Sequence, residues 1–152
     1  MIRTAICAAA AAAALLAPAL AGAAEDPKDV VGALYTESSL AFGPAKSAGY
    51  FSRDLDAALG AAARAGRQPV DFDYRYGYRD LQISGLEILQ EVDNDQARVV
   101  AVFKNYGRAN SVDWALCRRP DGEWRIDDAS SNTGEAEWDL RRTLNLPVKV
   151  AC

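Results

Sequence analysis

The stretch DWALCRRPDGEWRIDDAS, residues 113–130, holds one cysteine, two tryptophans, three arginines and five acids. Such crowding reads either as a site for chemistry or as two strands folded back on each other. The turn at its centre decides. Pro120 presets the first central dihedral of a turn, and Gly122 can take the positive φ of a bulged loop. With Pro120-Asp121-Gly122 as the loop, Arg119 falls opposite Glu123, Cys117 opposite Arg125, Leu116 opposite Ile126 and Trp114 opposite Asp128. Strand alternation then puts Val112, Trp114, Leu116, Trp124 and Ile126 on one face, and Cys117, Arg119, Glu123, Arg125 and Asp127 on the other.

The crowd therefore separates into an apolar face and a solvated one. Charge pairs across the solvated face contribute only about 0.2–1 kcal/mol each. Cys117 has no neighbouring base and makes a poor nucleophile. Asp128 stands apart, because this register places it on the apolar face beside Trp114. A carboxylate there is either held by backbone amides at the start of the Ser130-Ser131-Asn132 turn or aimed into a cavity.

Asp26 and Pro27 make a helix start, followed by an apolar face of Val30, Val31, Leu34 and Tyr35. SAGYFSRDLDAALGAAARAG, residues 47–66, predicts a second helix with Phe51, Leu55, Ala58, Leu59 and Ala62 in one stripe and Gly66 at its end. In DFDYRYGYRD, residues 71–80, the period switches to two, which predicts a strand with Phe72, Tyr74, Tyr76 and Tyr78 on one face. LQISGLEILQEV and ARVVAVFKNYG predict two more strands around an Asp93-Asn94-Asp95 turn. That turn lacks the glycine and the ligand spacing of a calcium loop. Thr133 is expected to cap a short final helix, EAEWDLRRTLN, with acids in its first turn and Arg141-Arg142 in its last. Segregated helices with an antiparallel sheet make an α+β domain.

MIRTAICAAAAAAALLAPALAGA, residues 1–23, reads as a secretory signal peptide. It has Arg3 in its n-region, an apolar run too short to span a bilayer, and small-residue cleavage sites after Ala21 and Ala23. One domain over residues 24–152 is expected, with no membrane span after cleavage. Cleavage removes Cys7 and leaves Cys117 and Cys152, which in an oxidising compartment are expected to pair. Such a bond closes a loop of about 36 residues and stabilises the fold by about 4 kcal/mol on the chain-entropy model. Losing Arg3 also leaves sixteen basic residues against twenty-one acidic ones, a net charge of −5. No basic stripe suited to nucleic acid is present. The chain has no histidine, which excludes Ser-His-Asp and Cys-His nucleophile systems and imidazole-bound zinc.

Three patches carry a resemblance. They are Tyr50-Phe51-Ser52, the Asp-rich DFDYRYGYRD ahead of Ile83, and Gly122-Glu123-Trp124-Arg125-Ile126-Asp127-Asp128 followed by Trp138-Asp139-Leu140-Arg141. Together they resemble the nuclear transport factor 2-like superfamily and, within it, the bacterial domain of unknown function 3828, over most of residues 24–152. In the Asp-rich patch this chain has Tyr74 and Arg79 where the family pattern has Pro and Gln. The resemblance implies a curved antiparallel sheet wrapped around N-terminal helices as a cone, export, and no set activity.

The expected function is a non-catalytic binding module of the envelope, periplasmic or secreted, recognising a partner protein or a small apolar ligand. A homodimer is allowed and no cofactor is demanded. Asp71, Asp73, Tyr74, Tyr76, Tyr78, Trp114, Trp124 and Asp128 are the candidate pocket or interface residues, since tyrosine pairs an apolar ring with a polar hydroxyl. An alternative is a cone-cavity isomerase, dehydratase or hydrolase, in which a desolvated Asp128, Asp73 or Asp71 acts as base near neutral pH. An immunity or inhibitor protein against a secreted toxin is a third.

Overall fold

Helices form where the apolar spacing and the end signals agree. A computed structural model of the chain describes residues 26–36, 49–67, 70–134, 136–148 and 152. The expected signal peptide lies outside the described residues. Helix α1 spans Pro27–Thr36 and buries Val30, Val31 and Leu34. Its first turn closes onto the Asp26 carbonyl, which accepts from the amides of Asp29 and Val30.

Helix α2 spans Arg53–Arg64, a shorter element than the expected one over residues 47–66. The preceding residues are claimed by the sheet: Ser52 N–H donates to the Ile126 carbonyl at 2.8 Å, and Ile126 N–H donates to the Tyr50 carbonyl at 2.7 Å. The far end stops where glycine predicts it. Gly66 takes φ +66°, its amide bonds the Ala63 carbonyl, and the Arg67 amide bonds the Ala62 carbonyl, which together make a Schellman cap.

Strands β1 (Ile83–Asp93), β2 (Gln96–Asn105), β3 (Arg108–Arg118), β4 (Trp124–Ser131) and β5 (Trp138–Asp139) form one sheet in the order β1-β2-β3-β4-β5. All neighbours are antiparallel, so with its helices the domain is α+β. Alternate residues of the central strands, among them Val99, Ala101, Phe103, Val112, Trp114, Leu116 and Ile126, pack under α1, α2 and Tyr74 in one core. The helices thus cover one face of the sheet. The other row of β1–β3, including Glu87, Leu89, Glu91, Arg98, Asp113 and Ala115, points away from that core.

The central hairpin keeps the predicted register at its turn. Leu116 pairs with Ile126 and Cys117 with Arg125, and the Arg119 amide bonds the Glu123 carbonyl. Beyond Leu116 the register shifts, so Trp114 faces Ala129 and Asp128 faces Ala115. The expected pairing of Trp114 with Asp128 therefore fails by one residue. A bulge at Asp127 puts two residues where alternation allows one, and it turns Asp128 off the core face.

The segment over residues 71–80 is not a strand. The Asp73 carbonyl accepts from the amides of both Tyr76 and Gly77, and the Asp73 amide donates to the Tyr78 carbonyl. The backbone thus reverses within six residues, with Gly77 at φ +74°. The Asp73 carboxylate also accepts from the Arg75 amide at 3.0 Å, which outweighs the alternating aromatics as a local signal.

The last helix, α3, is only Leu140–Thr143. Its cap is Asp139, whose carboxylate accepts from the Arg142 amide at 2.7 Å, and not Thr133. Thr133 instead accepts from the Ser111 amide. Trp138, expected in that helix, lies in β5 and is buried.

Candidate functional site

The face of the sheet away from the helices carries a groove of about 580 Å³. Strand alternation builds it. Glu91 sits directly opposite Arg98, and Asp113 of β3 reaches the same guanidinium as an ion pair. Asp93 joins from the end of β1, and Asp127 and Asp128 from the bulge of β4. Five carboxylates thus line the groove around the arginine that Asp113 already pairs. Ala115 contributes its small side chain to the floor, leaving room that a larger residue would fill.

Asp128 carries the most perturbed carboxylate. Its Oδ1 accepts from the Ala129 amide at 2.8 Å and from the Arg141 amide at 3.0 Å. Burial pushes the carboxyl up to about 6, because desolvation disfavours the charged form. The negative charge of Asp139 adds to the rise, and the two amide bonds oppose it. The amides that hold Asp128 are those of Ala129 and Arg141, not those of the Ser130-Ser131-Asn132 turn, and its side chain lines the open groove on the outer face of the sheet instead of standing beside Trp114 on the core face.

The tyrosine patch lies elsewhere and serves the core. Tyr74 and Trp114 are 1% and 0% exposed, and their rings meet edge to face at 6.1 Å. Neither ring presents a surface to a partner. Tyr35 donates to the Arg75 carbonyl at 2.6 Å and accepts from Trp114 Nε1 at 3.2 Å. Arg75 forks onto the Asp73 carboxylate and reaches the Leu34 carbonyl, so the turn is tied to α1. Burial raises the hydroxyls of Tyr35, Tyr74 and Tyr76 above the usual phenol range, which keeps all three protonated at neutral pH. Tyr78 is half-buried, bonded to Asn110 and to the Thr133 carbonyl. Asp71 is exposed and pairs with Arg79, whose hydrogen bond holds its carboxyl below the usual range. Trp124 is buried with the Arg118 guanidinium 5.7 Å above its ring.

Of the candidate residues singled out in the sequence, the structure brings Asp128 to the groove. Trp114 borders it but keeps its ring buried in the core, and Cys117 borders it as a buried, disulfide-bonded residue. The structure places Asp71, Asp73 and the three tyrosines elsewhere. Cys117 and Cys152 are bonded, with their Cα atoms 5.4 Å apart, as expected for an oxidising compartment.

The pattern reading missed Arg141. It is 3% exposed, and its guanidinium bonds Asp54 at 2.8 Å, Asp127 at 3.0 Å and the Pro147 carbonyl at 2.8 Å. One side chain thus joins α2, β4 and the C-terminal segment. As one of two adjacent arginines it reads as a solvated dipole partner, and only the distant Asp54 and Asp127 mark it as internal.

Among the described residues, no cluster of three or more His, Cys, Asp or Glu is placed to hold a metal ion. No described helix is long and apolar enough to cross a membrane. The chain matches no family model, no curated protein and no solved structure.

Proposed function

We propose that this protein is an exported, non-catalytic binding module of the cell envelope that recognises a partner presenting cationic groups. The groove on the open sheet face carries this reading. Of its five acids, Asp113 pairs with Arg98 and Asp127 with Arg141, which leaves Glu91, Asp93 and Asp128 without an ion pair among the described residues. That balance suits a positively charged partner better than the small apolar ligand expected from the aromatic row. Opposed potentials of this kind steer encounter and suppress wrong partners. The disulfide and the leader-like N-terminus support a periplasmic or secreted location. The order of two helices followed by an antiparallel meander supports the cone-type, nuclear transport factor 2-like arrangement.

A direct test is an amide NMR titration with the tripeptide tri-lysine. The reading expects saturable shifts at Glu91, Arg98, Asp113 and Ser130, weakened about fivefold or more by Asp93→Asn with Asp113→Asn. Shifts centred on α1 and Tyr76, or none at millimolar peptide, overturn it.

One observation favours a second reading, an enzyme with Asp128 as general base. A carboxyl near 6 lining a groove is poised for proton transfer at neutral pH. On that reading Asp128→Asn abolishes a turnover that the protein otherwise shows. On the binding reading the substitution leaves the partner bound.

A further inference from the structure

The groove ends at a strand that no further described strand pairs with. β1 is the first strand of the sheet, and every one of its eleven residues is exposed or half-buried. Among the described residues, its backbone hydrogen bonds run to β2 alone. A long open edge leaves a row of amides and carbonyls free to pair with another chain, and proteins blunt such edges with lysine, proline, a bulge or a covering element. The register of β1 is broken between Ser84 and Glu87, so the regular edge is Glu87–Asp93. β1 has neither lysine nor proline.

Its side chains sort by period two into rows of different chemistry. Glu87, Leu89, Glu91 and Asp93 stand on the groove side, opposite or next to the outward residues of β2. Leu86, Ile88, Gln90 and Val92 stand on the core side. Leu86 and Val92 are 40% and 49% exposed there, beyond the cover of the helices. The edge thus carries all its acids on one face, with the exposed Leu89 among them, and is mainly apolar on the other. The acidic row runs into the groove, which Glu91 and Asp93 also line.

We infer that the free edge of β1 takes up a sixth strand from a partner, an extended segment in which Lys or Arg alternates with Val, Ile or Leu. Main-chain bonds along the edge supply the pairing, and the alternate side chains supply the selectivity. The cationic residues fall beside Glu87, Glu91 and Asp93. The branched residues cover Leu86 and Val92. The charged residues of β1 are all acidic, which disfavours a partner strand of the same charge, because like charges directly opposite repel. This inference rests on the binding-module reading and adds how the partner is held.

The test is amide hydrogen exchange of the whole protein with an octapeptide of alternating Lys and Val, beside the same peptide built with Glu for Lys. The expected result is binding of the Lys form alone, with exchange slowed at least tenfold at the β1 amides that do not bond β2, and affinity falling as salt rises. Glu87→Lys, at an exposed position outside the groove, is expected to weaken the Lys peptide about fivefold. Octapeptide binding without new protection in β1 overturns the inference. So does a free protein in which the outward β1 amides are already protected, whether by another part of the chain or by a second copy in a concentration-dependent way. Binding of tri-lysine in the groove alongside any of these results leaves the proposed function standing. Loss of both peptides removes both.

Discussion

Replacing Asp128 by Asn separates what the carboxylate contributes by shape from what its charge costs. The side-chain oxygen that accepts the Ala129 and Arg141 amides survives in Asn. The charge does not. Burial raises the carboxyl from 3.8 to about 6, so the folded protein binds the Asp128 proton more tightly than the unfolded chain does. By linkage this contribution to stability is complete below about pH 4 and is lost as pH rises through about 6. At full value a shift of that size corresponds to about 3 kcal/mol. Asp128 faces an open groove where water screens it, so about half of that, ~1–2 kcal/mol, is expected. The charges acting on it are Asp139 on β5 and Arg141 on α3, and both are kept in the variant. Thermal unfolding of both proteins followed by circular dichroism from pH 4 to pH 8 reads the difference. Near pH 7.5 the Asn variant should melt about 3–6 °C higher, and near pH 4 the gap should close. An Asn variant that is less stable at pH 7.5, or a gap independent of pH, would refute the reasoning.

Four further outcomes follow from the packing and the disulfide. Arg141→Met leaves Asp54 and Asp127 without their shared cation and should lower stability by about 3–5 kcal/mol in urea titration. Its exposed neighbour, changed as Arg142→Ala, should stay within about 0.5 kcal/mol. Reducing the Cys117–Cys152 bond, which spans 35 residues, should cost up to about 4 kcal/mol, read as a lower denaturant midpoint with reductant present. Gly77→Ala should cost about 1–2 kcal/mol in the same assay. It strains a φ of +74°, and its new methyl meets Trp138 Nε1 at 3.0 Å.

Much of the scaffold was legible because local signals agreed with one another. Asp26-Pro27 opened α1, Gly66 closed α2, and Pro120-Asp121-Gly122 fixed the hairpin register as far as Leu116 and Ile126. The errors arose where a period-two pattern met a stronger local preference. The tyrosines from Tyr74 to Tyr78 alternate like a strand, but Asp73 and Gly77 fold them into a turn that sends the rings inward. Asp127 and Asp128 adjoin each other, and no binary pattern reveals which of two identical residues is the bulged one. Thr133 looks like a cap, but Asp139 is the residue that meets a free helix amide. The candidate site was least visible of all. Its acids come from three strands, spaced two residues apart on β1 and adjacent on β4, and each alone reads as a solvated surface charge. Register brings them together, and the bulge at Asp127 completes the set.

The most direct test of the account is the native mass of the protein released gently from the envelope at low salt. The account predicts a chain shortened by residues 1–21 or 1–23, two hydrogens lighter for the Cys117–Cys152 bond, and carrying a bound partner that leaves as salt is raised. A bare chain at every ionic strength would contradict the binding function. An intact leader or two free thiols would contradict the compartment on which it rests.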